Sequence, residues 1–229
     1  LTWTSNGILK TLSKDDIALV RPQLEAVTLD QGQSLFENFE PISHVYFFEG
    51  GLSSEVVVAS RSIEIGCIGY EGCSGVPVLL GVDKTPHRAF MQAGGPALRI
   101  RSADLLDLMD ANRTFRDLLL RYAHVFMIQI ASTALADGRY DVGQRLARWV
   151  LMCQDRLGDE LPLTHDFLAL MLGVRRPSVT DALHKLEGNR AIKADRAMIK
   201  VRNRAILEET AGDSYGTPEA EYRRLISHR

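Results

Sequence analysis

Residues 164–187 constrain the fold most tightly, because they hold two apolar helical stripes separated by a single glycine. Thr164 is placed to cap a first helix, with Phe167, Leu168, Leu170 and Met171 pointing inward and the small Ala169 where two helices cross closely. Gly173 tolerates the left-handed backbone of a tight turn, and Val174 plugs that turn into a core. The second helix starts near Arg176. Pro177 suits its first turn, where an N–H has no helical partner to lose. Val179, Leu183 and Leu186 form its buried stripe, while Arg175, Arg176, Ser178, Asp181, His184 and Lys185 make the opposite face polar.

An ordinary αα-hairpin has the same two stripes, so the next residues decide between readings. Residues 191–203 contain two short alternating runs about a turn expected at Ala194-Asp195. Ile192, Ile199 and Val201 point inward; Lys193, Lys200 and Arg202 point outward. A helix, a turn, a helix and a basic hairpin together predict a winged helix-turn-helix that reads double-stranded DNA. Net charge over the whole chain is −2, but residues 175–204 hold nine basic groups against Asp181, Glu187 and Asp195. That local excess is the footprint of a polyanion binder.

The first half has a different texture. Strand-like runs are expected at His44 to Phe48, Glu55 to Ala59, Ser62 to Ile68, Val76 to Leu80, Arg88 to Gln92 and Ala97 to Ile100, punctuated by glycines. They predict a compact antiparallel β-roll. Before it, Ser13 with Asp16 signals a short helix bent at Pro22. After it, Ser102 is expected to cap a short helix with Leu105, Leu106 and Met109 on one face. A longer helix follows, from about Thr114 to Ala136, in which Leu119, Tyr122, Phe126, Gln129 and Thr133 recur at three and four residues. That spacing is a heptad seam suited to dimerisation. Asp137-Gly138 is expected to break the helix. The next, Val142 to Leu157, buries Leu146, Trp149, Val150 and Cys153. The fold class is therefore α+β, with a β-roll sensor over 1–112, a dimerisation helix over 113–137 and a winged helix-turn-helix domain over 138–229.

At 229 residues and 45% hydrophobic content the chain is long enough for two cores. No uninterrupted apolar run reaches the roughly 18 residues of a membrane span, and no secretory signal is visible. Cys67, Cys73 and Cys153 form no C-x-x-C pair, which fits reduced thiols in the cytoplasm.

From about Leu9 to Ala211 the chain resembles the cyclic-AMP receptor/FNR (Crp/Fnr) family of bacterial transcription regulators. His44-Val-Tyr-Phe-Phe-Glu-Gly50, Gly72-x-x-Gly75, Arg88-Ala89 and the reading segment carry the likeness. The resemblance implies a cytoplasmic homodimer on a two-fold symmetric operator, with RNA polymerase as a further partner. Arg175, Arg176, Ser178 and Asp181, on the first two turns of the second helix, are the base-reading candidates, and the resemblance matches Arg176 to a base-contacting arginine. Phosphate contacts fall to Thr164, His165, Lys185, Lys193, Arg196 and Lys200. An effector site in the roll maps to Gly75, Arg88, Ala89, Ser132 and Thr133.

The effector residues depart from the family pattern. Val76 stands where the cassette has a ribose-holding glutamate, Ala89 where it has a hydroxyl, and Ile130-Ala131 where the long helix offers adenine a threonine and a serine. Each buried ligand group left without a partner costs about 1–3 kcal/mol, so cyclic AMP is not the expected effector. The cysteine cluster that holds iron–sulfur in the oxygen-sensing branch is absent, so no cofactor is expected. The reading helix differs too: Pro177 and Asp181 replace a base-reading glutamate and arginine, so the operator should differ from the receptor's. Another small anionic or apolar effector, or none, remains open. A cupin-like metalloenzyme would need His-x-His spacing, whereas His44 and His87 stand alone. No enzyme is expected. The segment after Gly212, with an amphipathic run from Glu219 to Ile226, lies beyond the resemblance.

Overall fold

A computed structural model of the chain describes residues 3–60, 62–195 and 197–227. Two compact units emerge. The first contains the chain up to Glu55, Cys67–Met127 and the segment from Glu219 onward; the second contains Val56–Gly66 and Ile128–Pro218. A linear division at residues 112 and 137 therefore misses a hairpin tip and a tail that each join the other unit.

In the first unit, α1 (Lys14–Val20) begins where the sequence signals it, with the Ser13 hydroxyl accepting from the Asp16 amide at 3.1 Å. The roll is built from β1 (Glu25–Leu29), β2 (Ser34–Phe36), β3 (His44–Phe48), β4 (Leu52–Val57), β5 (Ile63–Ile68), β6 (His87–Ala93) and β7 (Gly95–Arg101). They form one sheet in the order β1-β7-β3 and another in the order β2-β6-β4-β5. The pairs β1·β7, β3·β7 and β2·β6 are antiparallel, and β3 runs along β7 from His44 opposite Arg101 to Phe48 opposite Ala97. Phe47, Phe48, Leu52 and Met91 are fully buried between them.

Several expectations are corrected. Residues 76–80 do not form a strand; α2 (Val76–Leu79) is a helical turn entered through left-handed Gly75 (φ 73°). Pro77 explains why, since it lacks the N–H a strand ladder needs and fits a first helical turn. The fourth strand starts at Leu52 rather than Glu55. Ser102 is the first residue of α3 (Ser102–Ala111) and not its cap, because its hydroxyl donates to the Ile42 carbonyl at 2.5 Å. Leu105 and Met109 are buried, but Leu106 is exposed.

The long helix α4 (Arg113–Arg139) continues through Asp137-Gly138. Gly138 costs roughly 1 kcal/mol in a helix, too little to break it against a following capping box in which Asp141 and Gln144 exchange hydrogen bonds. The expected dimer seam is used inside the protomer: Leu119, Tyr122, Phe126 and Gln129 are buried, and Thr133 is half-buried and engaged. Tyr122 lies against Gly72, where a Cβ would collide with its ring, and donates to the Cys73 carbonyl at 3.2 Å. Burial pushes that phenol well above its usual pKa. By length and composition alone α4 is apolar enough to cross a membrane, but Phe115, Leu119, Tyr122 and Phe126 are core residues.

Buried Asn6 ties the N-terminal segment to the roll with all its hydrogen-bonding capacity. Its Nδ2 donates to the carbonyls of Phe48 and Gly72 at 2.8 Å each, and its Oδ1 accepts from the amides of Ile8 and Leu9 at 3.1 Å each. Asn6→Asp would turn a carboxylate on two carbonyls. It should lower unfolding free energy in urea by about 3 kcal/mol; a change below about 1 kcal/mol would contradict this account of the anchor.

The second unit contains α5 (Val142–Leu157), β8 (Glu160–Leu161), α6 (His165–Met171), α7 (Arg176–Gly188), β9 (Ile192–Asp195), β10 (Met198–Val201) and α8 (Arg204–Ala211). Its sheet has the order β8-β10-β9, so the wing gains a strand not anticipated from the sequence. Met198 pairs with Asp195, which puts Ala194 and Asp195 in β9 rather than in the turn. The chain ends in α9 (Thr217–Tyr222), continued by a π-wound turn at Arg223–Ser227.

Candidate nucleic-acid interface

The reading head is assembled from local rules. The Thr164 hydroxyl accepts from the Phe167 amide at 3.2 Å and so starts α6. Leu168 and Met171 are buried and Phe167 is half-buried, whereas Leu170 is exposed, contrary to the expected inward stripe. Gly173 turns the chain with φ 63°, and Ile63 from the β4–β5 tip covers it, 3.0 Å from where a Cβ would sit. Val179, Ala182, Leu183 and Leu186 then bury one face of α7.

The opposite face is open. Arg175, Arg176, Asp181, His184 and Lys185 are exposed, and Ser178 is half-buried in the first turn. Three of the basic groups already face carboxylates: Arg176 meets Asp166 at 3.2 Å, Lys200 meets Glu160 at 2.5 Å, and Lys193 lies 3.9 Å from Asp195. The Lys200 ammonium holds the exposed Glu160 carboxyl below its usual range. Such exposed pairs are worth about 0–1 kcal/mol, so a phosphate can displace the carboxylate readily. His165 lies with Nδ1 3.3 Å from the Thr180 hydroxyl. Ile192, Ile199 and Val201 are buried under the wing. Arg196, the remaining phosphate candidate, falls outside the described residues.

The support beneath the head includes residues the sequence did not reveal. The Trp149 indole donates to Glu64 at 2.6 Å, joining α5 to the β4–β5 tip. Arg148 is buried and donates to the Ser214 carbonyl at 2.9 Å and to the Thr133 hydroxyl at 3.2 Å. Arg145 binds Asp137 at 2.6 Å and the Leu172 carbonyl, at the end of α6, at 2.5 Å. Arg204 gathers Asp155, Glu208 and Tyr215 at 2.6–2.8 Å. Burial opposes its charge, but these partners raise its pKa. The one available signal was an arginine pair, Arg145 and Arg148, beside the apolar stripe of α5.

The suggested effector residues divide between the two units. Gly75, Arg88 and Ala89 belong to the first unit, Ser132 and Thr133 to the second. Arg88 lies 3.6 Å from Glu37 and over the Phe90 ring, and Ala89 and Val76 are buried. Thr133 both accepts from Arg148 and donates to the Gln129 carbonyl. His44 contacts Ser43 and His87 contacts buried Glu55, each at 3.0 Å. Among the described residues no group of three or more potential ligands converges as a metal site would require.

A helix-turn-helix with a basic wing defines a DNA-binding class, and comparison with known proteins narrows it. Residues 144–210 match the Crp-like helix-turn-helix domain. The fold is similar to that of FixK2 from Bradyrhizobium japonicum, with a TM-score of 0.69 at 15% identity, covering 82% of this chain and 98% of that one. It is also similar to the c-di-GMP responsive global regulator CLP from Xanthomonas campestris, with a TM-score of 0.66 at 15% identity, covering 82% and 99%. A CRP-family transcriptional regulator from Thermus thermophilus, TTHB099, gives 0.67 at 16% identity, covering 82% and 97%. No curated protein matches the chain. The chain therefore carries a Crp-like helix-turn-helix domain in the fold of the Crp/Fnr-type transcription regulators.

Trp149→Phe replaces the indole by a smaller aromatic ring and removes the hydrogen bond to the Glu64 carboxylate. It should cost about 1.5–3 kcal/mol of stability, measured by urea denaturation. A loss within about 0.5 kcal/mol would mean that Glu64 does not hold α5.

Proposed function

We propose that the protein is a homodimeric, sequence-specific DNA-binding transcription regulator acting in the cytoplasm. The observation that carries this reading is the exposed first turn of α7, with Arg175 and Arg176 side by side above a buried stripe and a basic wing alongside. Arg175, Arg176, Ser178 and Asp181 meet base edges in the major groove, where arginine pairs with guanine O6 and N7. Lys185, Lys193 and Lys200 meet phosphates, with Arg196 assigned there from sequence alone. Thr164 and His165 join them; the Thr164 hydroxyl accepts the cap bond yet keeps its own proton to donate.

The homodimer forms along the exposed face of α4. Leu120, His124, Met127, Ala131 and Ala134-Leu135 recur at three and four residues and are exposed. That face lies opposite the buried seam and has the spacing of a coiled-coil contact. Two-fold symmetry then sets the reading helices about one DNA turn, roughly 34 Å, apart.

Cyclic AMP is not the controlling ligand in this reading. Val76 and Ala89 are buried without side-chain hydrogen-bonding groups, and Arg88 rests on Glu37 and Phe90. CLP, in a similar fold, is described as responsive to c-di-GMP, so the fold does not choose the effector. Another small anionic or apolar molecule in the roll, or none, fits these residues equally. RNA polymerase is the further partner expected of such a regulator.

Arg176→Ala should relax base preference at one symmetric operator position by about 1–3 kcal/mol, read by competition binding with substituted operators. Unchanged preference would remove α7 from base reading. Lys200→Ala should instead flatten the salt dependence of binding, by about one unit of slope. Glu160→Gln releases Lys200 and should tighten binding by up to about fivefold, near 1 kcal/mol, in anisotropy titrations. Calorimetry with cyclic AMP should give no saturable binding at micromolar concentrations, and tight binding would overturn the argument from Val76.

A further inference from the structure

The segment from Glu219 onward lies beyond the winged helix and belongs to the first unit. The Tyr222 hydroxyl donates to the Glu71 carbonyl at 2.8 Å, and Gly7 lies so close to that hydroxyl that a Cβ there would collide with it. Ile226 is fully buried. These anchors turn Leu225, half-buried, toward α4, where it lines an open groove with Asp117, Leu120, Arg121 and His124. The four α4 residues are spaced i, i+3, i+4 and i+7, so they share one face of the helix.

That face is the upper end of the exposed stripe assigned to the dimer. Leu120, Met127 and Leu135 on it are 39%, 56% and 48% exposed, an apolar row along the helix. The groove is lined by both signs of charge, Asp117 against Arg121 and His124, around apolar Leu120 and Leu225. A two-fold contact requires a self-complementary surface, because residue i meets j where j meets i. A mixed rim around an apolar floor meets that requirement; a rim of one sign would repel its copy.

We propose that the C-terminal helix is part of the dimer contact, with the groove between α4 and Leu225 receiving an apolar side chain from the α4 stripe of a second copy of this chain. The proposal rests on the homodimer reading above and extends it to residues outside the helix-turn-helix fold. Leu225 acts as the outer wall of a socket whose inner wall is Leu120, and the tail's anchors at Tyr222 and Ile226 fix that wall in place.

Sedimentation equilibrium on the full chain and on Met127→Glu, Leu225→Ala, Leu225→Glu and Arg223→Glu variants separates the two claims, with near-UV circular dichroism reporting folding. The expected result is a dimeric parent chain and a monomeric Met127→Glu variant. Leu225→Ala should weaken dimerisation about tenfold, near 1.4 kcal/mol, and Leu225→Glu should weaken it further, while exposed Arg223→Glu leaves it unchanged. Should Leu225→Glu disturb folding, the Leu225→Ala variant decides. Dimerisation within twofold of the parent in Leu225→Ala, with Met127→Glu monomeric, overturns the role of the tail and leaves the α4 dimer standing. A monomeric parent chain overturns both. An equal loss in Arg223→Glu also overturns the proposal, since charge rather than the socket would then be at work.

Discussion

The packing of α4 is the constraint on which the rest depends. One face of this 27-residue helix is core: Phe115, Leu119, Tyr122 and Phe126 are buried, and Gly72 has no side chain because Tyr122 occupies the space. With that face covered, the exposed apolar row at Leu120, Met127 and Leu135 is what the helix leaves open to a partner. The same helix supplies Thr133 and Asp137 to Arg148 and Arg145 of α5. One element thereby contributes to the roll's core, to a candidate dimer face and to the support of the reading head.

The reading head shows a division of labour between buried and exposed charge. Beneath it, Arg145, Arg148 and Arg204 are bound to carbonyls and carboxylates within the second unit, where breaking a partly buried charged bond is costly. On its surface, Arg176, Lys193 and Lys200 hold exposed carboxylates that water and salt already weaken. The first set fixes geometry and the second is available for exchange with phosphate or base. In the proposed complex, DNA would take the places that Asp166 and Glu160 hold beside Arg176 and Lys200.

Much of this was legible in the sequence where the rule is local. Gly173 with Pro177 marked the turn and the start of α7, Thr164 and Ser13 marked helix caps, and the alternation of Ile192, Ile199 and Val201 marked the wing. Residues 76–80 misled because a short apolar run fits a strand or a helix equally well, and Pro77 was the discriminating detail. The heptad seam legible in the sequence lies on the covered face of α4; both faces carry apolar residues at helical spacing, and only packing tells which one is buried. The Trp149–Glu64 bond spans 85 residues, and the Arg176–Asp166 and Lys200–Glu160 pairs join separate elements. Tertiary folding creates such partners, so no periodicity in the chain announces them. For the same reason the tail's attachment to the first unit could not be read from its amphipathic pattern.

The central claim, that α7 reads bases as one of a symmetric pair, is tested most directly by genome-wide mapping of DNA bound by the intact protein. The account predicts one enriched motif, an inverted repeat whose half-sites lie about 10–10.5 base pairs apart centre to centre. Bound fragments with no shared motif, or with a single unpaired half-site, would contradict it.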